Sequence, residues 1–256
     1  MLGSWLDQGA ALRDEFFSAV PFPLIVIDGF VDETSGQLLI SEFPAVDAMP
    51  RSRDYVFGNK HELSSLEEAG PTCLKLFQEL TGSAFAHFLS ELTGWDLFVD
   101  PRFHGGGFHQ GNDGSFLDTH VDFNIHPLHP DWLRRLNILL YLNPDWREEW
   151  GGYLCVKARP EDEARSIAPL FNRAVIMQTG DQTYHGYPRM SLPNGVTRKS
   201  IAAYAYEHVE AGAFAPRTTG WVPEGAGMAK RAVARNYDTL VKVKNRFFGS
   251  GTAANR

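Results

Sequence analysis

Between residues 95 and 207, short apolar segments alternate with Gly, Asn, Asp and Pro, and no helical pattern separates them. The clearest segments are WDLFVD (95–100), RRLNILLYLN (134–143), GGYLCVKA (151–158), RAVIMQT (173–179) and RKSIAAYAYE (198–207). Because a parallel sheet needs a helical crossover between its strands, this pattern predicts an antiparallel sandwich or barrel. It constrains the fold more than any other feature of the chain.

Helical patterns flank this strand-rich region. PFPLIVIDGF (21–30) reads as a strand, and Asp32 is the predicted N-cap of a short helix that follows it. Pro71 opens a longer helical region, which Gly82 divides in two. Near the C-terminus, an apolar face of a further helix is predicted from Val233, Tyr237, Leu240, Val243 and Phe247.

These patterns predict a single domain. Its 256 residues, 43% of them hydrophobic, are enough to bury one large core. We expect a helical N-terminal annex over about 1–94, a β core over about 95–207 and a C-terminal helical segment over about 226–249.

The composition of the chain limits the kinds of partner that we expect it to bind. The net charge is −7 and no Lys/Arg-rich block is present, which argues against nucleic acid or an anionic membrane as a partner. The only cysteines, Cys73 and Cys155, disfavour a disulfide framework and a Cys-based zinc site. The first residues lack the apolar run of a signal peptide, and no apolar stretch could span a bilayer. We expect a cytoplasmic protein with a small-molecule or peptide partner.

A possible metal site begins at His120 and Asp122, because residues i and i+2 of a strand point to one face. Two histidines and one carboxylate leave open positions on Fe(II). The best third ligand is His185, which follows the strand RAVIMQT and a Gly-Asp turn. His126 and His129 are alternative ligands, although the prolines beside them are expected to break the strand there.

Four ordered blocks resemble the prolyl-4-hydroxylase-like branch of the Fe(II)- and 2-oxoglutarate-dependent dioxygenases. The blocks are GSFLDTHVD (114–122), NILLYLNPDW (137–146), GGYL (151–154) and HGYP (185–188) followed by RKSI (198–201). They occur in the family's order within about 95–207. The resemblance implies a mainly β fold with flanking helices around a double-stranded β-helix core, of the jelly-roll or cupin-like kind.

The resemblance also implies residue roles. His120, Asp122 and His185 would bind iron. Arg198 would bind the distal carboxylate of 2-oxoglutarate, with Ser200 as a possible helper and Tyr141 as a further contact. Strand alternation puts Asn137 and Leu139 on the face of Tyr141, so both are expected to line the same pocket.

The sequence departs from the family pattern in two places. SLPNG (191–195) lengthens the gap before Arg198, which leaves Lys199 as an alternative carboxylate binder. A tyrosine that is common about ten residues before the H-x-D motif is also absent. His109 or Gln110 falls near that position, and the sequence does not decide between them.

The implied activity is O2-dependent hydroxylation of an unactivated C–H bond, with 2-oxoglutarate converted to succinate and CO2. The substrate would be a small molecule, a free amino acid or a peptidyl residue. The loop 123–135 and the segment 147–152 are expected to flank the site's mouth, and they supply the possible contacts Asn124, His126, Trp132, Arg134 and Trp150. The alternatives are a cupin-like metalloprotein that does not use 2-oxoglutarate, a metal-dependent hydrolase and a non-catalytic module.

Overall fold

A computed structural model describes residues 1–50, 56–65, 69–223, 227–237, 239 and 241 of the chain. The helices are α1 (Gly9–Ser18), α2 (Glu33–Ser41), α3 (Pro71–Leu80), α4 (Ser83–Thr93) and α5 (Met228–Arg235). As predicted, Asp32 caps α2 by accepting a hydrogen bond from the Ser35 amide, and α3 and α4 separate at Gly82. Leu240, Val243 and Phe247 of the predicted C-terminal helix lie outside the described residues.

The described residues form thirteen strands. They are β1 (Leu24–Asp28), β2 (His61–Leu63), β3 (Leu97–Val99), β4 (Gly107–Gly111), β5 (Leu117–Val121), β6 (Ile125–His126), β7 (His129–Tyr141), β8 (Leu154–Lys157), β9 (Arg165–Ile167), β10 (Arg173–Gln178), β11 (Tyr184–Tyr187), β12 (Arg198–His208) and β13 (Gly220–Val222). None of the helices in the described part of the chain is long and apolar enough to cross a membrane.

The strands form two antiparallel sheets. The large sheet has the order β1-β10-β7-β12-β4-β2, with β3 added to β12 and β6 to β7, and the small sheet has the order β13-β5-β11-β8-β9. Almost every neighbour pair joins strands distant in sequence, as expected for a double-stranded β-helix. The predicted fold class, mainly β with flanking helices, is confirmed.

Strand alternation separates the two faces of the large sheet. On β7, Leu136, Ile138 and Leu140 pack with the helices in the main hydrophobic core. Tyr141, on the opposite face, instead packs against Leu154 and other residues of the small sheet. The surface between the two sheets is called the inner surface below, and it holds the functional site.

Segments beyond the strand-rich region 95–207 complete both sheets. β1 and β2 come from the N-terminal part and extend the large sheet, while β13 joins the small sheet at β5. Residues 57–63, the seam segment, connect the sheets: Gly58 forms a bridge with Leu117 at the start of β5, and β2 pairs with β4.

The segment 123–135 is more ordered than the sequence predicted. It forms a hairpin in which β6 pairs with the beginning of β7, and Pro130 lies within β7 instead of breaking the strand. Further along, a register shift leaves Arg135 as an extra residue between the pairs Tyr206–Arg134 and Ala205–Leu136. Because a bulge reverses the alternation, Arg134 joins the inner surface and Arg135 the opposite face.

Candidate active site

His120, Asp122 and His185 lie together on the inner surface. His120 on β5 is paired directly with His185 on β11, and Asp122 immediately follows β5. One potential ligand atom from each residue lies within 4.8 Å of the others. The Nε2 atoms of His120 and His185 are 3.7 Å and 3.4 Å from the Asp122 carboxylate oxygens. The structure therefore brings the three predicted iron ligands together.

Both imidazoles are oriented through their Nδ1 atoms. Nδ1 of His120 is 2.9 Å from the Asp118 carbonyl, and Nδ1 of His185 is 3.1 Å from that of Thr183. A carbonyl accepts only, so each Nδ1 carries the proton and each Nε2 is left as a ligand atom. Burial, reinforced by His185, lowers the pKa of His120 to about 3, and burial lowers that of His185 as well. Neutral imidazoles are the form that binds a metal.

Asp122 is held as a carboxylate. Its Oδ2 accepts hydrogen bonds from Asn137 Nδ2 at 2.7 Å and from Arg134 at 3.1 Å. Burial alone would raise its pKa, but the Arg134 charge, together with the Asn137 hydrogen bond, lowers it. Two neutral imidazoles and one carboxylate, all at most 9% exposed, make a donor set that fits Fe(II).

Arg134 was predicted as a possible substrate or cosubstrate contact, and the structure places it behind Asp122. Its guanidinium is 3.4 Å from the centre of the Tyr204 ring and 4.6 Å from that of Phe123. Its Nε also donates to Asn137 Oδ1 at 2.9 Å. Arg134 and Asn137 thus form one hydrogen-bonded unit with the carboxylate.

Arg198 lies further along the inner surface, at the start of β12. Its side chain is buried, and its Nε donates to the Gly152 carbonyl at 2.8 Å. The guanidinium lies 4.9 Å from the ring centre of Tyr141 and 4.4 Å from that of Tyr187. Among the residues that the structure describes, no carboxylate forms an ion pair with it. An anion is the ligand that this environment lacks.

Register decides which residues accompany Arg198. Ser200 is paired with Tyr141 on one side and with His109 on the other, so all three share the inner surface. Gln110 is paired with Lys199 on the opposite face, where both side chains donate to the Thr197 hydroxyl. His109, and not Gln110, therefore faces the site, and Lys199 lies on the wrong face to replace Arg198.

The two remaining pocket predictions on β7 have different surroundings. Asn137 uses its side chain on Asp122, as described above. Leu139 packs against the apolar side chains around Tyr141 and around Tyr204. A cosubstrate contact by either residue stays a prediction.

His126 and Trp132, two predicted substrate contacts, belong to an aromatic cluster at the end of the inner surface opposite Arg198. Trp132 stacks on His129 with ring centres 3.9 Å apart. His126 is buried, with Nε2 3.5 Å from the Asp100 carboxylate and its ring beside Tyr206. His126 and His129 lie apart from the three clustered ligands.

The other two predicted contacts have structural partners. Trp150 packs edge-on against Trp146, with ring centres 5.3 Å apart. The Asn124 side chain binds residues 208–222, the stretch that starts at the last residue of β12. It donates a hydrogen bond to the Ala215 carbonyl and accepts one from the Arg217 amide. A substrate contact by either residue stays a prediction.

Sequence reasoning missed Arg217 and Trp221. The Arg217 guanidinium donates to the backbone carbonyls of Asp122 at 2.8 Å and Gly180 at 3.5 Å, so it links Asp122 to the turn that precedes His185. Trp221 on β13 is paired with His120, with ring centres 4.6 Å apart. Their distance along the chain from His120 left no signal in any local motif.

Comparisons with known proteins agree with this geometry. The family model described as "2OG-Fe(II) oxygenase superfamily" matches residues 106–206. The chain is 24% identical over 207 residues to prolyl 3-hydroxylase OGFOD1 from Xenopus laevis, covering 77% of this chain and 37% of that protein. The chain thus spans little more than a third of that relative's length.

Solved structures share the fold. A prolyl-4-hydroxylase from Pseudomonas putida superposes with a TM-score of 0.57 at 17% identity, covering 78% of this chain and 99% of that one. A prolyl hydroxylase from Trichoplax adhaerens, in complex with a hypoxia inducible factor peptide fragment, gives 0.53 at 15% identity, with 80% and 94% covered. Residues 106–206 of the chain thus match the 2OG-Fe(II) oxygenase superfamily, and the chain shares its fold with these prolyl hydroxylases.

Proposed function

We propose that this chain is an Fe(II)- and 2-oxoglutarate-dependent hydroxylase. The observation that carries the proposal is the pairing, on one buried surface, of a two-histidine, one-carboxylate cluster with an arginine that has no described acidic partner. The cluster suits Fe(II), and the arginine suits the far carboxylate of a dicarboxylate cosubstrate.

Each residue has a distinct task in this proposal. His120, Asp122 and His185 would hold Fe(II), which when bound supplies the oxidising chemistry that converts 2-oxoglutarate, O2 and the substrate to succinate, CO2 and the hydroxylated substrate. Arg198 would fix the distal carboxylate, and Tyr141 would line the same pocket. Burial of these groups excludes bulk water from the reacting centre.

Arg134 and Asn137 would act through Asp122. By binding one carboxylate oxygen, they limit the rotation of the carboxylate and compensate its buried charge. The proton positions on His120 and His185 are set by their backbone partners in the same way.

The proposed substrate is a peptidyl residue, with proline the first to be tested. Two similar proteins support this choice. The Xenopus protein is a prolyl 3-hydroxylase, and the Trichoplax prolyl hydroxylase was solved with a peptide fragment. A small molecule or a free amino acid is the second candidate.

Anaerobic titration with Fe(II) and then 2-oxoglutarate tests the proposal. We expect the weak visible charge-transfer band of a 2-oxoglutarate–iron complex in the wild type and its loss in His185→Ala. His129→Ala is the matched control, because this histidine lies outside the ligand cluster. Metal binding without the band would favour a cupin-like metalloprotein that does not use 2-oxoglutarate.

A further inference from the structure

The seam segment brings two charged residues to the inner surface from far outside the family-matched region. Glu62 on β2 is paired with His109, which shares the inner surface with Ser200. Strand alternation puts Lys60 on the same face as Glu62. His61, between them, points away and lies with Nδ1 2.9 Å from the Met49 carbonyl.

Lys60 is a buried ammonium held by two neighbours. Its Nζ lies 2.6 Å from Glu62 Oε1 and 3.5 Å from His109 Nδ1, and the side chain is 12% exposed. Burial alone would lower the pKa of Lys60, but the Glu62 carboxylate outweighs burial and raises it. Lys60 therefore remains charged inside the site, and with three N–H donors it has one to offer a ligand.

Lys60 and Arg198 converge on one region. Continuing the β2–β4 register places Lys60 level with Gly111, and Gly111 is itself paired with Arg198. The two cations thus lie on either side of Gly111, against which the side chains of Ser115 and Met190 pack. His109 responds to both: burial and the Lys60 charge lower its pKa to about 3, and Arg198 adds to the effect.

We propose that Lys60 is a second cationic contact of the cosubstrate, acting with Arg198 on the carboxylate of 2-oxoglutarate that does not bind the metal. The inference rests on the proposed function and adds a residue 46 positions before the family-matched region begins. Glu62 sets the strength of the contact, because its charge offsets that of Lys60 and repels a carboxylate ligand.

The opposite charges of Lys60 and Glu62 predict opposite effects of their substitution on 2-oxoglutarate binding. Lys60→Met removes the attraction and leaves the repulsion by Glu62, so we expect 2-oxoglutarate to bind roughly 10-fold to 100-fold more weakly. Glu62→Gln keeps Lys60 and removes the repulsion, so binding should become tighter. Affinity is measured anaerobically from the visible band of the Fe(II) form, without turnover.

The double variant Lys60→Met/Glu62→Gln separates binding from structure. If Lys60 contacts the cosubstrate, the double variant still binds 2-oxoglutarate more weakly than the wild type. If Lys60 only neutralises Glu62, the double variant returns to the wild-type affinity, and the proposal is overturned. Unchanged affinity in Lys60→Met also overturns it.

Fe(II) affinity, measured without 2-oxoglutarate, shows whether each variant is folded. We expect it to be unchanged, because Lys60 is not among the clustered ligands. Should Lys60→Met not fold, the Glu62→Gln result alone decides, since weaker or equal 2-oxoglutarate binding in that variant contradicts the proposal. A wild type that binds Fe(II) but not 2-oxoglutarate would instead refute the proposed function itself.

Discussion

Two buried arginines on neighbouring strands of the inner surface have opposite electrostatic surroundings. Arg134 donates to the Asp122 carboxylate and to Asn137, and tyrosine and phenylalanine rings cover its faces. Arg198 also lies against tyrosine rings, but its one described hydrogen bond goes to a backbone carbonyl. One guanidinium is compensated within the protein and the other is not.

The difference distinguishes a positioning residue from a ligand-binding one. A buried charge without a partner costs free energy, and folding tolerates it where a ligand later supplies the counter-charge. Arg134 completes its ion pair when the chain folds. In the proposed function Arg198 completes its own only when an anion binds, so we expect the two arginines to respond differently to the same substitution.

Arg134→Met should produce the largest effect, on stability. It leaves the Asp122 carboxylate buried without its cation, and we expect the free energy of unfolding to fall by about 3–5 kcal/mol. Urea unfolding of the metal-free protein measures this. Arg135→Met is the matched control: its ion pair with Glu207 is partly exposed, so the loss should stay below about 1 kcal/mol. Equal losses of stability in the two variants would show that the buried ion pair of Arg134 stabilises the fold no more than the partly exposed pair of Arg135.

Arg198→Met should have its effect on binding. We expect the affinity for 2-oxoglutarate to fall by about 100-fold, because the buried counter-charge of the carboxylate is lost. The free energy of unfolding should not fall, since an uncompensated buried cation is replaced by an apolar side chain. Lys199→Met, on the opposite face, should bind 2-oxoglutarate like the wild type. Destabilisation of Arg198→Met comparable to that of Arg134→Met would show that Arg198 too is compensated within the fold.

His109 should show the smallest of these effects. Burial and the Lys60 charge lower the pKa of His109 from 6.5 to about 3. At pH values between these two, His109 is protonated in the unfolded chain and neutral in the folded protein. Stability is therefore lost as the pH falls through this window. From about pH 7 to about pH 5, the metal-free wild type should lose roughly 2 kcal/mol more than His109→Gln. Equal pH dependence of the two proteins in urea unfolding would mean that neither burial nor the Lys60 charge lowers the pKa of His109.

The sequence predicted much of the architecture, because local patterns carry it. Alternation and turn residues identified the strands, and Asp32, Pro71 and Gly82 identified helix ends. His120, Asp122 and His185 were predicted as ligands from a two-residue spacing and the resemblance. The structure brings them together, and their role as iron ligands stays a prediction.

The orientation of Arg134 and the approach of Lys60 and Arg217 to the site depend on information that local patterns lack. Arg134 faces inward only because of a bulge opposite β12, which no two-residue alternation predicts. Lys60 reaches the site because β2 pairs with β4, which lies more than 40 residues further along the chain. Arg217 binds backbone carbonyls, and such a partner leaves no signature in the sequence around it.

The seam segment and residues 208–222 meet beside His120, where Phe57 stacks on Trp221 and Trp221 lies against the imidazole. Neither aromatic residue belongs to the family-matched stretch 106–206. The aromatic packing around His120 thus comes from parts of the chain outside the stretch that holds the three predicted ligands. For the protein engineer, these two distant segments are a place to alter the surroundings of His120 while the three predicted ligands are kept.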